Sequence, residues 1–342
     1  MLQREAIVIG AGLGGLACGR ILSGSGWRVT LLEKGTQPGG ALRTFVRDGL
    51  RFDTGFHSVG GLGPGEPLER CFRQLGLTGL PWIRMEADEL ADCRTPFLRL
   101  SAGSEEERQH VLEPYRQSIW RLEGGGKTLA DALAAGQRIL LRKKVTAIAD
   151  RSVRCADGSV YRADCIISDL HPLTTMRLVR DPFRPAYLHR LEKLPNGPGI
   201  RTVHVKLKAG CLPYRNRSIF LRDEVMIHFG APDAGGYARS LDLLAFQTAG
   251  LSSGQLLRKA AAYLPGLSAA VERCWTRTPA DWERCTGSPG GSAYGILKHS
   301  PDDYLSPRTP LPWLYLTGQN LGLHGILGTT VSAFNTCKSI TL

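Results

Sequence analysis

The chain has 342 residues, of which 42% are hydrophobic and 22% charged, and a formal net charge of +12 at pH 7. This composition excludes a disordered chain. The sequence also contains no run of 18 apolar residues, which is the length needed for a membrane-spanning helix. Nine cysteines without a CxxC pair exclude a disulfide framework and a local metal site. Because the N-terminus also lacks a signal-peptide pattern, we expect a cytoplasmic globular protein without a bound metal.

The positive charge is concentrated between residues 138 and 217, which carry 17 Lys and Arg against six Asp and Glu. Aromatic residues are sparse in this stretch and no nucleic-acid-binding motif accompanies the charge, so no nucleic-acid partner is expected. A solvated basic surface is the simpler interpretation. Peripheral contact with an anionic membrane surface is the alternative.

The first predicted element is a strand from Ala6 to Ile9, which is followed by a glycine-rich turn and an apolar helical pattern. In this GxGxxG turn, the first glycine allows a tight bend, the second lets a diphosphate approach the backbone, and the third lets helix and strand pack closely. Free amides at the helix start would then face the phosphates. The predicted binding residues here are Gly10, Gly12, Leu13, Gly14 and Gly15.

A second predicted strand, from Trp27 to Leu32, ends at an acidic residue. Glu33 stands at the spacing where a carboxylate accepts the ribose hydroxyls of an adenosine, with Lys34 beside it. A carboxylate there would repel a 2′-phosphate, so the pattern favours a dinucleotide without one. The combination of glycine turn, helix and acid predicts a dinucleotide-binding βαβ unit.

Two further motifs follow, one after the second strand and one near the C-terminus. Pro38, Gly39 and Gly40 are followed by Arg43 and Thr44 and then by the segment RFDTG at 51–55, and residues 314–328 read LYLTGQNLGLHGILG. Together with the N-terminal turn, these segments resemble the phytoene desaturase, carotenoid isomerase and retinol saturase family of flavoproteins.

The resemblance implies an α/β fold with FAD as the cofactor. We expect a discontinuous, Rossmann-like FAD-binding domain of the glutathione reductase type, interleaved with an α+β substrate domain. The expected boundaries are 1–75, 120–183 and 300–342 for the FAD-binding domain, and 76–119 with 184–299 for the substrate domain. Relatives are longer, and the part between Asp88 and Trp120 looks shortened in this chain.

The resemblance also implies further cofactor contacts. The C-terminal segment is expected to form a strand, a turn at Gly318 and a helix that begins near Gly325 and points its positive end at the flavin. The chain carries Asn320 where many relatives have an acid. The implied contacts are Gly39, Gly40, Arg43, Thr44, Val145, Gly318, Gln319, Asn320, Gly325 and Ile326.

The middle of the chain gives coarser expectations. Residues 127–135 are predicted to form a short helix capped by Thr128, followed by a strand over 138–149 and a hairpin turn at 156–158. The GGGKT sequence at 124–128 lacks the first glycine of a phosphate loop, which argues against ATP binding.

His57 and His324 are the candidate proton-handling residues, because each lies next to a flavin motif. His171 is expected to belong to a helix entry. The resulting hypothesis is an FAD-dependent oxidoreductase acting on carbon–carbon double bonds of an apolar polyene or isoprenoid. The alternatives are an amine oxidase-like flavoprotein and a non-catalytic, escort-type isoprenoid-binding protein.

Overall fold

The computed structural model describes residues 3–91, 118–222, 225–298 and 304–341. Its strands are β1 Glu5–Ile9, β2 Arg28–Leu32, β3 Thr44–Arg47, β4 Leu50–Asp53, β5 Val59–Gly60, β6 Trp82–Arg84, β7 Glu89–Ala91, β8 Ile119–Leu122, β9 Arg138–Leu140, β10 Val145–Ala149, β11 Ser152–Cys155, β12 Val160–Arg162, β13 Cys165–Ser168, β14 Ile200–Leu207, β15 Ile219–Leu221, β16 Val225–Phe229, β17 Ser240–Phe246, β18 Val271–Arg277 and β19 Leu314–Leu316. Its α-helices are α1 Leu13–Gly24, α2 Pro67–Gln74, α3 Gly126–Ala134, α4 Pro172–Leu178, α5 Pro185–Glu192, α6 Ser253–Tyr263, α7 Leu267–Ala270, α8 Pro279–Thr286 and α9 Gly325–Thr341.

A five-stranded parallel sheet in the order β19-β13-β1-β2-β9 forms the centre of the cofactor-binding part. Because successive side chains of a strand point to opposite faces, β1 packs Ala6 and Val8 against α1, α3 and α9 on one side. Ile7 and Ile9 face the antiparallel meander β10-β11-β12 and helices α4 and α5 on the other side. The sheet is therefore the middle of three layers and is apolar on both faces.

A six-stranded mixed sheet in the order β18-β14-β17-β16-β15-β7 forms the second large element. Helices α6 and α7 cover one face through buried residues such as Leu256 and Leu267. The opposite face carries Phe220, Met226 and Phe246 and packs against Trp282 of α8. The mixed sheet thus presents an apolar face toward the cofactor-binding part of the chain.

Strand register brings distant parts of the chain to one edge of the parallel sheet. Ile9 pairs with Ser168, and Ser168 pairs with Leu316, so β1, β13 and β19 end side by side. The residues that follow these strands are Gly10, Asp169 and Thr317. In an open α/β sheet, ligands bind at the carboxyl ends of the strands where the strand order reverses, and that point here lies between β1 and β13.

Several local predictions are confirmed. The glycine turn joins β1 to α1, the turn at 156–158 joins β11 to β12, a helix begins at Gly325, and His171 caps α4 by accepting a hydrogen bond from the Leu173 amide. Others are wrong. The strand predicted over 138–149 is two strands in two different sheets, because the chain turns at Arg142, whose φ is +58°.

Thr128 does not cap α3. The N-cap position is Gly125, and the Thr128 hydroxyl donates to the Glu123 carbonyl from inside the helix. The prediction failed because the helix begins one residue earlier, at Gly126, where Asp53 accepts the first free amide at 2.7 Å. A distant carboxylate thus replaces the local cap.

The strands of the parallel sheet fall within the ranges predicted for the FAD-binding domain, and those of the mixed sheet fall within the ranges predicted for the substrate domain. The domain boundaries themselves stay a prediction. Most of the segment that looks shortened, residues 92–117, lies outside the described residues. Among the described helices, none combines the length and the apolar character needed to cross a bilayer.

Candidate functional site

A cavity of about 290 Å³ lies at the carboxyl edge of the parallel sheet. The glycine turn after β1, the second glycine pair and the start of α9 all contribute to its wall. Ten of the residues predicted from the sequence line it: Gly12, Leu13, Gly14, Gly39, Gly40, Gln319, Asn320, His324, Gly325 and Ile326. The structure therefore brings the N-terminal and C-terminal flavin motifs together around one space.

The glycine turn leaves no room for side chains. Gly10 has a φ of +95°, and a Cβ at Gly15 would collide with the Gly10 carbonyl oxygen. A Cβ at Gly12 would lie 2.6 Å from Asp169 Oδ2, and one at Gly14 would lie 2.5 Å from Asp169 Oδ1. The turn is thus a bare backbone cradle at a helix start, which fits the diphosphate of FAD.

Glu33 lies below this cradle and is buried. Its two carboxylate oxygens accept hydrogen bonds from the amides of Ala11 at 2.9 Å and Gly35 at 2.7 Å. These bonds fix the carboxylate at the end of β2, next to the glycine turn. Lys34 points away, and its ammonium donates to the Arg284 carbonyl at 3.4 Å.

The second glycine pair packs directly on the first turn. The Gly39 amide donates to the Ala11 carbonyl at 2.7 Å, and Gly39 and Gly40 both have positive φ. Arg43 is half-buried and donates to the carbonyls of Gly40 and Cys285, each at 2.9 Å. In the described contacts Arg43 therefore ties the glycine pair to the end of α8, while Thr44 begins β3.

The C-terminal motif forms the opposite wall. Gly318 has a φ of +96° and lies beside Asp169. The Asn320 side-chain oxygen accepts a hydrogen bond from the Ile296 amide at 3.0 Å, and the backbone carbonyl of Asn320 accepts one from the Lys298 ammonium at 2.5 Å. Asn320 thus joins the turn to the segment before it.

His324 is buried in the cavity wall, immediately before α9. Burial, followed by the nearby positive charge of Lys298, lowers the pKa of His324 to about 4. Its ring lies against Tyr294, with the ring centroids 4.6 Å apart. At neutral pH His324 is therefore a neutral imidazole that can donate one hydrogen bond but carries no positive charge.

His57 lies in a different environment, although its neighbours Phe56 and Ser58 line the cavity. His57 Nε2 is 3.1 Å from Asp242 Oδ2, and His204 Nδ1 is 2.6 Å from Asp242 Oδ1. The His57 ring stacks on His228, with centroids 4.4 Å apart. We call His57, His204, His228 and Asp242 the histidine–aspartate cluster.

Burial alone would raise the pKa of Asp242, but the charges and hydrogen bonds of His204 and His57 lower it well below the usual carboxyl range. The pKa of His228 is lowered by burial and by electrostatic repulsion from His57. Asp242 is therefore an anion that holds two imidazoles. In the described residues, no group of three His, Cys, Asp or Glu side chains is arranged to hold a metal ion.

Val145 is a buried residue of β10 and packs in the core between the meander and the parallel sheet. Its predicted proximity to the adenine stays a prediction, as do the individual roles of the other cofactor contacts.

Sequence reasoning missed three acidic or basic side chains of this site. Asp169 and Asp88 line the cavity, and Lys298 lies behind Asn320. A signal for Asp169 existed, since it directly follows a buried strand and the carboxyl ends of parallel strands converge. No local pattern marks Asp88 or Lys298.

A family model described as flavin-containing amine oxidoreductase matches residues 84–340, and one described as an NAD(P)-binding Rossmann-like domain matches residues 8–75. The first covers more than half of the chain. The chain belongs to the flavin-containing amine oxidoreductase family.

Curated relatives match over shorter segments. The all-trans-retinol 13,14-reductase of Homo sapiens is 48% identical over 83 residues, which is 24% of this chain and 14% of the relative. The neurosporene-forming phytoene desaturase of Cereibacter sphaeroides is 50% identical over 51 residues, 15% of this chain and 10% of the relative. The aligned segments thus span about one seventh or less of these two relatives.

Solved structures show the same fold over the whole chain. A redesigned putrescine oxidase superposes with a TM-score of 0.70 at 15% identity, covering 99% of both chains. The predicted Rossmann-like α/β fold is confirmed, as is the resemblance to retinol saturases and phytoene desaturases. Membership of the family also confirms FAD as the cofactor and the oxidoreductase class.

Replacing Gly12 tests the cradle. We expect Gly12→Val to abolish FAD binding, because its side chain would lie between the diphosphate and the backbone amides. The measurement is flavin absorbance per purified chain, with far-UV circular dichroism to show that the fold is kept. Gly24→Val is the matched control, because a Cβ at the other end of α1 meets no atom within 4 Å. Normal FAD content in the Gly12 variant would contradict this placement.

Asp242→Asn tests the histidine–aspartate cluster. Removing the buried anion should lower the free energy of unfolding by about 2 kcal/mol or more at pH 7, since two charge-assisted hydrogen bonds weaken. Because the pKa of Asp242 is lowered on folding, its contribution is present above about pH 4 and is lost as the pH falls further.

Denaturant melts from pH 7 to pH 3 measure this difference. The gap between the parent and Asp242→Asn should be present at pH 5 and should narrow as the pH falls to 3. Asp131→Asn removes an exposed partner of Lys127 and serves as the control, with little change expected at any pH. A gap of the same size at pH 3 would show that the carboxylate charge does not matter.

Proposed function

We propose that the chain is an FAD-dependent oxidoreductase that acts on carbon–carbon double bonds of an apolar polyene or isoprenoid, by saturation, desaturation or isomerisation. The observation that carries this proposal is the shared cavity. One part of its wall is the glycine cradle, and another part is apolar and includes Phe56, Val59, Ile119 and Ile326. An apolar ligand there would lie beside the cofactor. The named retinol reductase and phytoene desaturase relatives support this substrate class.

The chain would hold FAD through groups at both ends of the sequence. The amides of the glycine turn suit the diphosphate, and Glu33 suits the ribose hydroxyls. The positive end of α9, which begins at Gly325, would stabilise negative charge on the flavin ring. Bound FAD supplies hydride transfer, and the protein supplies orientation and exclusion of water.

His324 lies where α9 begins and lines the same cavity. Because its pKa is lowered to about 4, the neutral imidazole is the form present at pH 7. We therefore propose that His324 positions the substrate or the flavin by a hydrogen bond and does not act as a cationic proton source. His57, which bonds to Asp242, is proposed to hold the Phe56–Ser58 wall in place.

Amine oxidation is the second candidate. It is favoured by the family and by Asp88, whose pKa is raised by burial to about 6 and whose Oδ1 is buried without a hydrogen-bond partner among the described residues. A carboxylate in the cavity wall could pair with a cationic amine. The apolar neighbours and the polyene-metabolising relatives weigh against it.

The third candidate function is a non-catalytic, escort-type role in binding an isoprenoid. The fit between the glycine turn and a diphosphate argues against it, because such a protein needs no cofactor cradle. Peripheral membrane contact through the basic stretch would suit an apolar substrate and stays a prediction.

A substrate panel separates these functions. The FAD-loaded protein, reduced or oxidised under anaerobic conditions, is mixed with retinoids, linear carotenoids and, separately, with di- and polyamines. We expect mass spectrometry to show, only with polyenes, either a gain or loss of two hydrogen atoms with a matching change in flavin absorbance, or an isomer of unchanged mass with no net change in flavin absorbance. Reduction of the flavin by amines alone would establish the amine oxidase alternative. A protein that takes up no flavin would favour the escort role.

A further inference from the structure

The Asp169 side chain lies at the junction of the two flavin motifs. Its backbone amide donates to the Ile9 carbonyl at 2.9 Å, which fixes the residue at the end of β13. One carboxyl oxygen lies against Gly12 and the other against Gly14, and Gly318 approaches from the C-terminal turn. The carboxyl group therefore occupies the middle of the glycine-lined wall and faces the cavity.

The Asp169 carboxyl group lies against the backbone of Gly12 and Gly14, and the nearby amides of Gly15 and Gly12 favour its charged form. These are amides of the first turn of α1, and such amides bind phosphate in dinucleotide-binding folds. A diphosphate and an ionised Asp169 therefore require the same donors. Both are anions, and Glu33 adds a third negative charge nearby, so their simultaneous binding is opposed by repulsion.

Asp169 differs in its titration from the groups around it. Burial, followed by the charge of Glu33, raises its pKa to about 7, against the lowering effect of the Gly15 and Gly12 amides. On α1, burial raises the pKa of Cys18 well above its usual value, whereas burial lowers the pKa of His171 at the start of α4.

The charged groups of the opposite wall complete this environment. The Lys298 ammonium donates to the Asn320 carbonyl, and the pKa of His324 is lowered to about 4. Among these groups, Asp169 is the one that both lies against the glycine cradle and changes its charge near neutral pH.

We propose that Asp169 controls the affinity for FAD: as a neutral acid it donates a hydrogen bond to the bound diphosphate, and as a carboxylate it competes with the diphosphate for the Gly12 and Gly15 amides. Binding of FAD then takes up one proton. The inference rests on FAD being the cofactor, and it adds a pH-dependent determinant of cofactor retention.

The test is the dissociation constant of FAD for the flavin-stripped full chain, measured by fluorescence quenching between pH 6 and pH 8.5. For the parent protein we expect the constant to rise about thirtyfold over this range, because the carboxyl group must be protonated before binding. Asp169→Asn keeps an oxygen for the amides and supplies a permanent N–H donor. It should therefore bind FAD with a constant that does not change with pH and is about thirtyfold lower than that of the parent at pH 8.5.

Asp164→Asn is the matched control. It removes the same charge at the other end of β13, where Asp164 accepts from the Glu5 amide at 2.9 Å, and it should retain the pH dependence of the parent. Equal constants for the parent and Asp169→Asn at all pH values would overturn the proposal, as would weaker binding by Asp169→Asn at pH 8.5. If neither protein bound FAD, the cofactor assignment itself would fail and the inference with it.

Discussion

The pairing of β1 with β13 and of β13 with β19 is the constraint on which the site depends. Their registers place Gly10, Asp169 and Thr317 at one edge, although about 150 residues separate each from the next along the chain. Helices α1 and α9 then pack on the same face of the sheet through buried small residues, including Cys18 and Ala333. A shift of one residue in either pairing would turn the apolar side chains to the wrong face and separate the two flavin motifs.

Features that depend on local sequence could be predicted. The glycine turn, the acid after the second strand and the helix start at Gly325 follow from steric and hydrogen-bonding rules that act over a few residues. Together with the family resemblance, these rules identified nine cofactor residues and His324 that line the cavity. The break at Arg142 was missed because apolar residues continue on both sides, although the chain turns there and β9 and β10 belong to different sheets.

Features that depend on long-range pairing could not be predicted. His204 and Asp242 are directly opposite one another on β14 and β17, and this register was not available from the sequence. Asp169 illustrates the intermediate case: its position after a strand was visible, but its contact with Gly12 and Gly14 requires that β13 lie next to β1. Charged residues inside such contacts are chemically important and carry no periodic signal.

The histidine–aspartate cluster also bears on how the two parts of the chain cooperate. His57 follows the β3-β4 hairpin of the cofactor-binding part, whereas Asp242 and His204 belong to the mixed sheet. Phe52 and Phe45 of the hairpin pack on the His204 ring, with centroids 5.3 Å and 4.9 Å away. A buried carboxylate that forms hydrogen bonds with imidazoles from both parts fixes their relative position, because hydrogen bonds require a defined geometry. Apolar contacts alone would allow one part to shift against the other. The cavity wall at Phe56 and Ser58 is adjacent to this junction, so its shape depends on the mixed sheet as much as on the cofactor motifs.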